Sequence, residues 1–409
     1  MVDRSSLKVN RRRLLTGGAA ALAAGAVLAE SGAAHSATLQ QGFGVDVEPF
    51  HGPHQSGIAT APQAHASFIA FDVKAGGGRS ERDTVAAILR LWTADASRLT
   101  RGAPALADTE PELATRPARL TVTVGLGVGL FDRIGLASAR PRSARELPVF
   151  AVDRIEDRWS GGDLMLQICA DDPVVVAHAI RVLTKNVRSM TVQRWRQTGF
   201  RNARGADPRG TTMRNLMGQV DGTVNLAAGE LDELVWLDDA DAGLAGGTLM
   251  VLRRIAMQLD TWDELDRQSK EFTVGRTLDT GAPLTGHRET DEPDFAVTRN
   301  GIPVIPQNSH IALAHHRDSR ERFLRRPYNY DDPPAAGQTS DTGLIFVTYQ
   351  RDIDTQFLPV QRRLAEFDAL NQWTTAIGSA VFVVLPGVTT PDGYLGQRLL
   401  EGASPTGTG

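Results

Sequence analysis

The chain lays down one order of strands and helices twice, and that repetition limits what it can fold into. In the first half SFIAFDV (67–73) reads as a strand, and residues 79–98 carry Val85, Ile88, Leu89 and Leu91 at helical spacing. RLTVTVGLG (119–127) alternates as a half-buried strand does, and DLMLQICA (163–170) is a further strand. Residues 172–188 form a helix that Asp172 caps and Pro173 opens, and 190–200 closes the unit through Val192 and Trp195. The order βαββαβ is that of a ferredoxin-like unit. The second half predicts a distorted copy: a strand at 247–259, a helix at 260–270, a strand at 343–350, a helix at 353–370 and a strand at 380–387. Between them runs a polar stretch, about 272–307, too long to be idle in a compact domain. The expected fold class is therefore α+β, two ferredoxin-like domains with antiparallel sheets, over 38–205 and 206–400. Residues 201–215 read as a linker and 401–409 as a disordered tail.

Composition narrows the function. The 409 residues carry a formal charge of -4, so no strongly basic surface stands ready for nucleic acid. The single cysteine, Cys169, excludes an intrachain disulfide framework and a thiolate-rich metal site. The first 37 residues have a basic start, an apolar run of small residues and a small-residue exit, the pattern of an export signal. Arg11 and Arg12, just before that run, resemble a twin-arginine signal. This predicts a twin-arginine leader over 1–37, the twin-arginine translocase as a partner, and action in the periplasm, the cell envelope or outside the cell. That route carries folded proteins, often with a cofactor already inserted, and a chain that folds in the reducing cytoplasm cannot rely on disulfides.

No phosphate loop, zinc-protease helix or nucleophile elbow is present, and GLGVGL (125–130) fits dinucleotide spacing poorly. His51 and His54 form a weak metal pair, while His65 and His178 sit on or beside core elements. His310, His315 and His316 cluster in NSHIALAHH, which alone reads as a solvated basic loop. Two strings change that weighting. In RNLMGQVDGTVN (214–225), Gly218 and Gly222 bracket Asp221, and glycines there let the backbone approach a flat ligand. FLRRPYNY (323–330) is an arginine pair leading into two tyrosines.

Together these strings resemble the dye-decolourising peroxidase family of haem proteins, closest to its exported bacterial branch of deferrochelatase-like peroxidases. HGPHQSGIATAPQAHASFIAFDV, SGGDLMLQICADDP, AGGTLMVLRRI, GRTLDTGAPL, NSHIALA and GLIFVTYQRD come in the family's order with them. The resemblance implies haem b, one per chain, in a pocket mainly within the C-terminal domain. It implies that Asp221 is the distal acid–base and Arg325 the distal arginine. The stretch from His310 is shorter than in relatives, so Arg326 is the alternative. It implies His310 as the proximal iron ligand, ahead of His315 and His316. Arg276 would contact a haem propionate, Asp368 would hydrogen-bond the ligating imidazole, and Leu344 and Phe346 would wall the pocket beside Gly222 and Thr223.

The implied reaction is reduction of hydrogen peroxide at the expense of an organic donor such as a dye or phenol. The alternative is haem handling, with iron released from haem as a deferrochelatase does. Homodimers or larger homo-oligomers are common in the family. The residue types suit the chemistry: a carboxylate behind an imidazole strengthens its donation to iron, and a base opposite must move a proton between peroxide oxygens. A carboxylate has an intrinsic pKa of about 4, which predicts activity favouring mildly acidic pH. Bulky donors would pass electrons through aromatic residues near the surface, with Tyr328 and Tyr330 ranked first for their place beside Arg325.

Overall fold

The computed structural model describes residues 42–402, apart from 75, 77, 209, 239, 241 and 242. The expected leader (1–37) and most of the expected tail lie outside the described residues. The first half forms β1 (His65–Val73), α1 (Glu81–Leu99), β2 (Thr121–Gly127), β3 (Leu164–Ala170), α2 (Pro173–Val187) and β4 (Thr191–Phe200). Ser80 caps α1 by accepting from the Asp83 amide, and Glu81 and Asp83 put negative charge in its first turn. Asp172 caps α2 by accepting from the Val174 amide, with Pro173 at the first helical position. Val85, Ile88, Leu89, Trp92, Ala96 and Leu99 form the buried stripe of α1. Leu91, assigned to that stripe from its spacing, is exposed (38%) and falls just off it.

The second half forms β5 (Thr248–Met257), α3 (Arg267–Val274), a small hairpin of β6 (Thr298–Arg299) and β7 (Ile302–Pro303), and α4 (His310–Ala314). It continues with β8 (Leu324–Arg325), β9 (Tyr328–Asp332), β10 (Asp341–Gln350), α5 (Leu358–Phe367) and β11 (Thr374–Val384). Here the elements depart from the sequence pattern in three places. The helix expected at 260–270 is two short pieces, Leu259–Asp263 and α3, because Asp266 breaks the run and caps the second by accepting from the Ser269 amide. β11 begins at Thr374, ahead of the expected 380, because Thr374, Thr375 and Ala376 continue the pairing with β5. β9, hidden in the LRRPYNY string, completes the second βαββαβ unit.

Both halves are ferredoxin-like, with strand orders β2-β3-β1-β4 and β11-β5-β10-β9. They share one sheet. β11 pairs with β2, β4 touches β9 at Phe200 and Asn329, and β10 pairs back onto β5, so the ring of strands closes. Closure removes the open edges that two separate antiparallel sheets would expose.

Period-two alternation then assigns most strand residues, apart from the register shifts of the β1–β4 and β11–β5 pairings. Ala66, Phe68 and Ala70 of β1, Met165 and Cys169 of β3, Met250 and Leu252 of β5, and Ile345, Val347 and Tyr349 of β10 fill one shared interior cluster. Their neighbours face outward. In the first half these outward residues (Ile69, Phe71, Leu164, Leu166, Ile168) pack beneath α1 and α2. In the second half Arg253, Ile255 and Met257, with Leu344 and Phe346, line a cavity instead. Leu166 is fully buried beneath the helices. Leu166→Ala is expected to cost about 2–5 kcal/mol in a urea melt followed by circular dichroism, from lost burial plus the cavity left behind.

Candidate active site

His310 is the first residue of α4, and its ring faces the cavity. Its Nδ1 lies 2.6 Å from Asp368 Oδ2. The carboxylate accepts a hydrogen bond from Nδ1–H, which leaves the lone pair of Nε2 toward the cavity. Asp368 is itself fixed. Its other oxygen accepts from the Leu370 amide at 2.9 Å, and the neighbouring Ala369 amide donates to the Asn308 carbonyl at 3.0 Å. The two chain segments that carry the pair are thus tied together next to it. The imidazole is enclosed by protein, yet 37% of its side-chain surface is accessible, because what it faces is internal space. Burial pulls its pKa down, but the charge and hydrogen bond of Asp368, with Asp221 adding to them, outweigh that and raise it above the ordinary histidine value.

Asp221 and Arg325 line the same cavity. Arg325 Nη1 is 3.7 Å from Asp221 Oδ1, and Nη2 donates to the Val224 carbonyl at 2.9 Å. Burial lowers the arginine's pKa and the Asp221 charge offsets part of that. The loop that carries Asp221 is folded on itself. Asn215 Oδ1 accepts from the Met217 amide at 3.0 Å and the Gln219 amide at 3.2 Å, and the Asp221 amide donates to the Met213 carbonyl at 2.8 Å. Gly218 (φ 84°) and Gly222 (φ 129°) make the two turns that other residues would strain. Asn225, which sequence reasoning passed over, braces Arg325 on both sides. Its Oδ1 accepts from the Arg325 amide at 2.9 Å and its Nδ2 donates to the Arg325 carbonyl at 2.8 Å. It stands four residues after Asp221 in the same string, the one signal that pointed to it.

The remaining site candidates sort by position. Arg276 is buried in the cavity wall, with Nη1 donating to the Gly281 carbonyl at 2.7 Å and the Glu289 carbonyl at 2.8 Å. Burial lowers its pKa, with Glu289 opposing. Leu344 and Phe346 project from the cavity face of β10, and Gly222 and Thr223 line the wall beside Asp221. Arg326 is elsewhere. It is 1% exposed, and its guanidinium reaches the Thr60 carbonyl and Gln63 Oε1 inside the ring of strands. Adjacent strand residues face opposite sides, which separates the two arginines. His315 sits at the cavity rim, bonded to Glu292 at 2.8 Å and stacked on His316. Tyr328 and Tyr330 are fully buried in the interior cluster, so neither is near the surface as expected, and a bulky donor cannot reach them. A buried ion pair that the sequence did not signal, Arg253 Nη2 to Asp153 Oδ1 at 2.5 Å, also lines the cavity.

These residues fit a haem. An imidazole nitrogen with a free lone pair faces the cavity, and apolar side chains of β10 supply the flat walls. Thr223 Oγ1 is buried without a partner among the described residues, which marks this wall as built for an occupant. Arg276 adds a cation for an acidic edge.

Two family models match the chain: "Dyp-type peroxidase, N-terminal" over residues 55–201 and "Dyp-type peroxidase, C-terminal" over residues 212–389. A dye-decolorizing peroxidase of Thermobifida fusca is 39% identical over 363 residues, covering 85% of this chain and 84% of its own. A deferrochelatase of Escherichia coli is 35% identical, covering 96% of this chain and 97% of its own. Among solved structures, a DyP-type peroxidase from Cellulomonas bogoriensis superposes with a TM-score of 0.85 at 52% identity, over 88% of this chain and 100% of its own. Ferric DtpA from Streptomyces lividans gives 0.83 at 39%, over 88% and 98%.

The site geometry makes a spectroscopic prediction. Haem added to the purified His310→Ala chain is expected to bind more weakly and to show a shifted Soret band. Asp368→Asn is expected to keep the haem while lowering the donor strength of the imidazole, read as a higher ferric/ferrous reduction potential.

Proposed function

The chain belongs to the Dyp-type peroxidase family, haem enzymes that use peroxide as oxidant, and from that premise we propose a haem b peroxidase that oxidises small organic donors such as phenols or dyes. The observation that carries this reading is the shared cavity, with His310 braced by Asp368 and the Asp221–Arg325 pair on its wall. Among the described residues one histidine is so placed, which supports one haem per chain. The haem, when bound, supplies the redox centre that accepts two oxidising equivalents from peroxide and passes them on to donors.

The chain's own residues do the rest. His310 Nε2 is the iron ligand, and Asp368 holds the ring to one tautomer and one orientation. Asp221 takes the proton from one peroxide oxygen and returns it to the other, which leaves as water. Arg325 offers guanidinium N–H donors to the charge that builds on the departing oxygen. Asn225 holds the arginine's backbone in place, and the Val224 carbonyl fixes one edge of the fork, so the charge is preorganised. Arg276 binds a propionate. Leu344 and Phe346 keep the cavity apolar, which strengthens each of these charge interactions.

A second reading is favoured by relatives named deferrochelatase, 35–36% identical to this chain: iron is released from haem and the porphyrin is left intact. The sequence pattern at Arg11 and Arg12 supports export through the twin-arginine route to the cell envelope or beyond, where either activity would operate, and assembly as a homo-oligomer is part of the same proposal.

Asp221→Asn is expected to lower kcat/KM for peroxide by about 10²–10⁴, and Arg325→Leu by about 10²–10³, measured by stopped flow on haem-loaded protein. Wild-type rates in both variants would overturn the roles given to Asp221 and Arg325, and haem-loaded wild type that does not react with peroxide would overturn the peroxidase assignment. Incubation of the haem-loaded protein with a ferrous chelator, followed by porphyrin fluorescence, separates the second reading: free porphyrin forming at the rate of chelated iron would favour it.

A further inference from the structure

A second cleft adjoins the haem cavity and shares Asp221, Gly222 and Arg325 with it. It lies between the two halves, and the segment read from sequence as a linker forms much of its wall. Three other arginines line it, and they differ in their pairing. Arg119 meets Glu48 at 2.6 Å and Asp171 at 3.4 Å. Arg204 meets Asp46 at 2.7 Å and Asp171 at 3.3 Å. Arg201 has no carboxylate within ion-pair distance, and no hydrogen bond to its guanidinium, among the described residues; its guanidinium carbon lies over the face of Tyr328, 5.9 Å from the ring centre. Its backbone is held where β4 ends by the bond from its amide to the Ala64 carbonyl at 2.8 Å. It is half-buried, and burial lowers its pKa, with Tyr328 and Asp221 on the opposing side. The two carboxylates of the cleft are otherwise engaged. Asp221 faces Arg325, and Asp207 accepts from Asn202. A partly desolvated cation without a counter-ion costs free energy that an incoming anion would recover. The flanking surfaces are flat and apolar: Phe43, Pro62, Pro208 and Met213.

We propose that this cleft binds a small aromatic electron donor carrying a carboxylate, with the anion on Arg201 and the ring against the apolar wall, and that Arg201 thereby sets donor preference. The inference rests on the peroxidase reading above. Because Asp221, Gly222 and Arg325 line both spaces, a ring held in this cleft would lie next to the wall that the cleft shares with the haem cavity. With a hydroxylated aromatic acid as donor, two molecules each lose one electron and one proton per turnover: H2O2 + 2 ArOH → 2 H2O + 2 ArO•. The guanidinium takes no part in the electron transfer. It holds the acid in place through charge-assisted hydrogen bonds.

The test uses haem-loaded enzyme and two donors of similar ring chemistry, 4-hydroxy-3-methoxybenzoate and the uncharged 2-methoxyphenol. Arg201→Gln is expected to lower the ratio of kcat/KM for the acid to that for the phenol by about tenfold or more, the loss of one charged hydrogen bond, mainly through KM. Arg201→Lys should recover part of it. Calorimetry with benzoate, which is not readily oxidised, gives a readout independent of turnover. Wild type should bind it with the Soret band unmoved, and Arg201→Gln should bind it at least about tenfold more weakly. An unchanged ratio, equal benzoate affinity in the two proteins, or a Soret shift that places benzoate on the iron would each overturn the proposal. If wild type oxidises neither donor, the peroxidase reading fails, while the benzoate titration still decides whether Arg201 binds an anion. If Arg201→Gln does not fold, Arg201→Lys carries the same comparison, with a reduced ratio expected and an unchanged one decisive against.

Discussion

A strand presents alternate side chains to opposite faces, and in a sheet covered on both faces neither set is spare. That constraint organises this molecule. Along β10, Ile345, Val347 and Tyr349 point into the interior of the closed ring, while Leu344 and Phe346 point into the cavity. On the next strand Arg254 is buried among interior aromatics and Arg253 is on the cavity side, paired with Asp153. The same alternation parts Arg325 from Arg326. A shift of one residue in the pairing of β10 with β5 would turn the cavity wall into the core and the core into the cavity wall. The long ladder between them, from Thr342 opposite Met257 to Gln350 opposite Leu249, holds that register.

Against this frame, the charged groups gain their meaning from what surrounds them. A guanidinium in a protein interior is tolerable when carboxylates or carbonyls occupy its donors. Arg253 has Asp153, Arg254 has Asp332 and Asp341, and Arg326 has a carbonyl and an amide oxygen. Two cations of the haem cavity, Arg325 and Arg276, are less fully engaged than Arg253. Arg325 spends one donor on Val224 and keeps its other edge toward Asp221. Arg276 spends one nitrogen on two carbonyls. Donors left open in an enclosed space destabilise the empty protein and favour charge that arrives with a ligand or develops during reaction. The histidine follows the reverse logic. Its one committed nitrogen, held by Asp368, is what leaves the other oriented.

Much of the fold could be read along the chain. Capping by Ser80 and Asp172 and the apolar stripe of α1 are local, so the helices of the first half stood out. The second half was harder, because Asp266 splits one helix, because β9 is a short strand inside a motif rich in arginine and tyrosine, and because β11 starts with polar threonines. The site was legible at Asp221, His310 and Arg325, whose residue types and places in their strings carry the chemistry. Asn225 and the Arg253–Asp153 pair were not, since their roles come from contacts between segments about a hundred residues apart.

From the sequence alone came the βαββαβ order of the first half and a distorted, incomplete copy of it in the second, the residue types able to ligate iron and move a proton, and the loop glycines around Asp221, since propensity, capping and motif are properties of neighbours along the chain. Only the tertiary structure decided that the two half-sheets share edges and close. It alone separated Arg325 from Arg326, withdrew Tyr328 and Tyr330 from the surface, and made a cleft wall of the segment that read as a linker. Those outcomes depend on which faces and edges meet in space, and pairing between distant segments leaves no mark in the local pattern of either one.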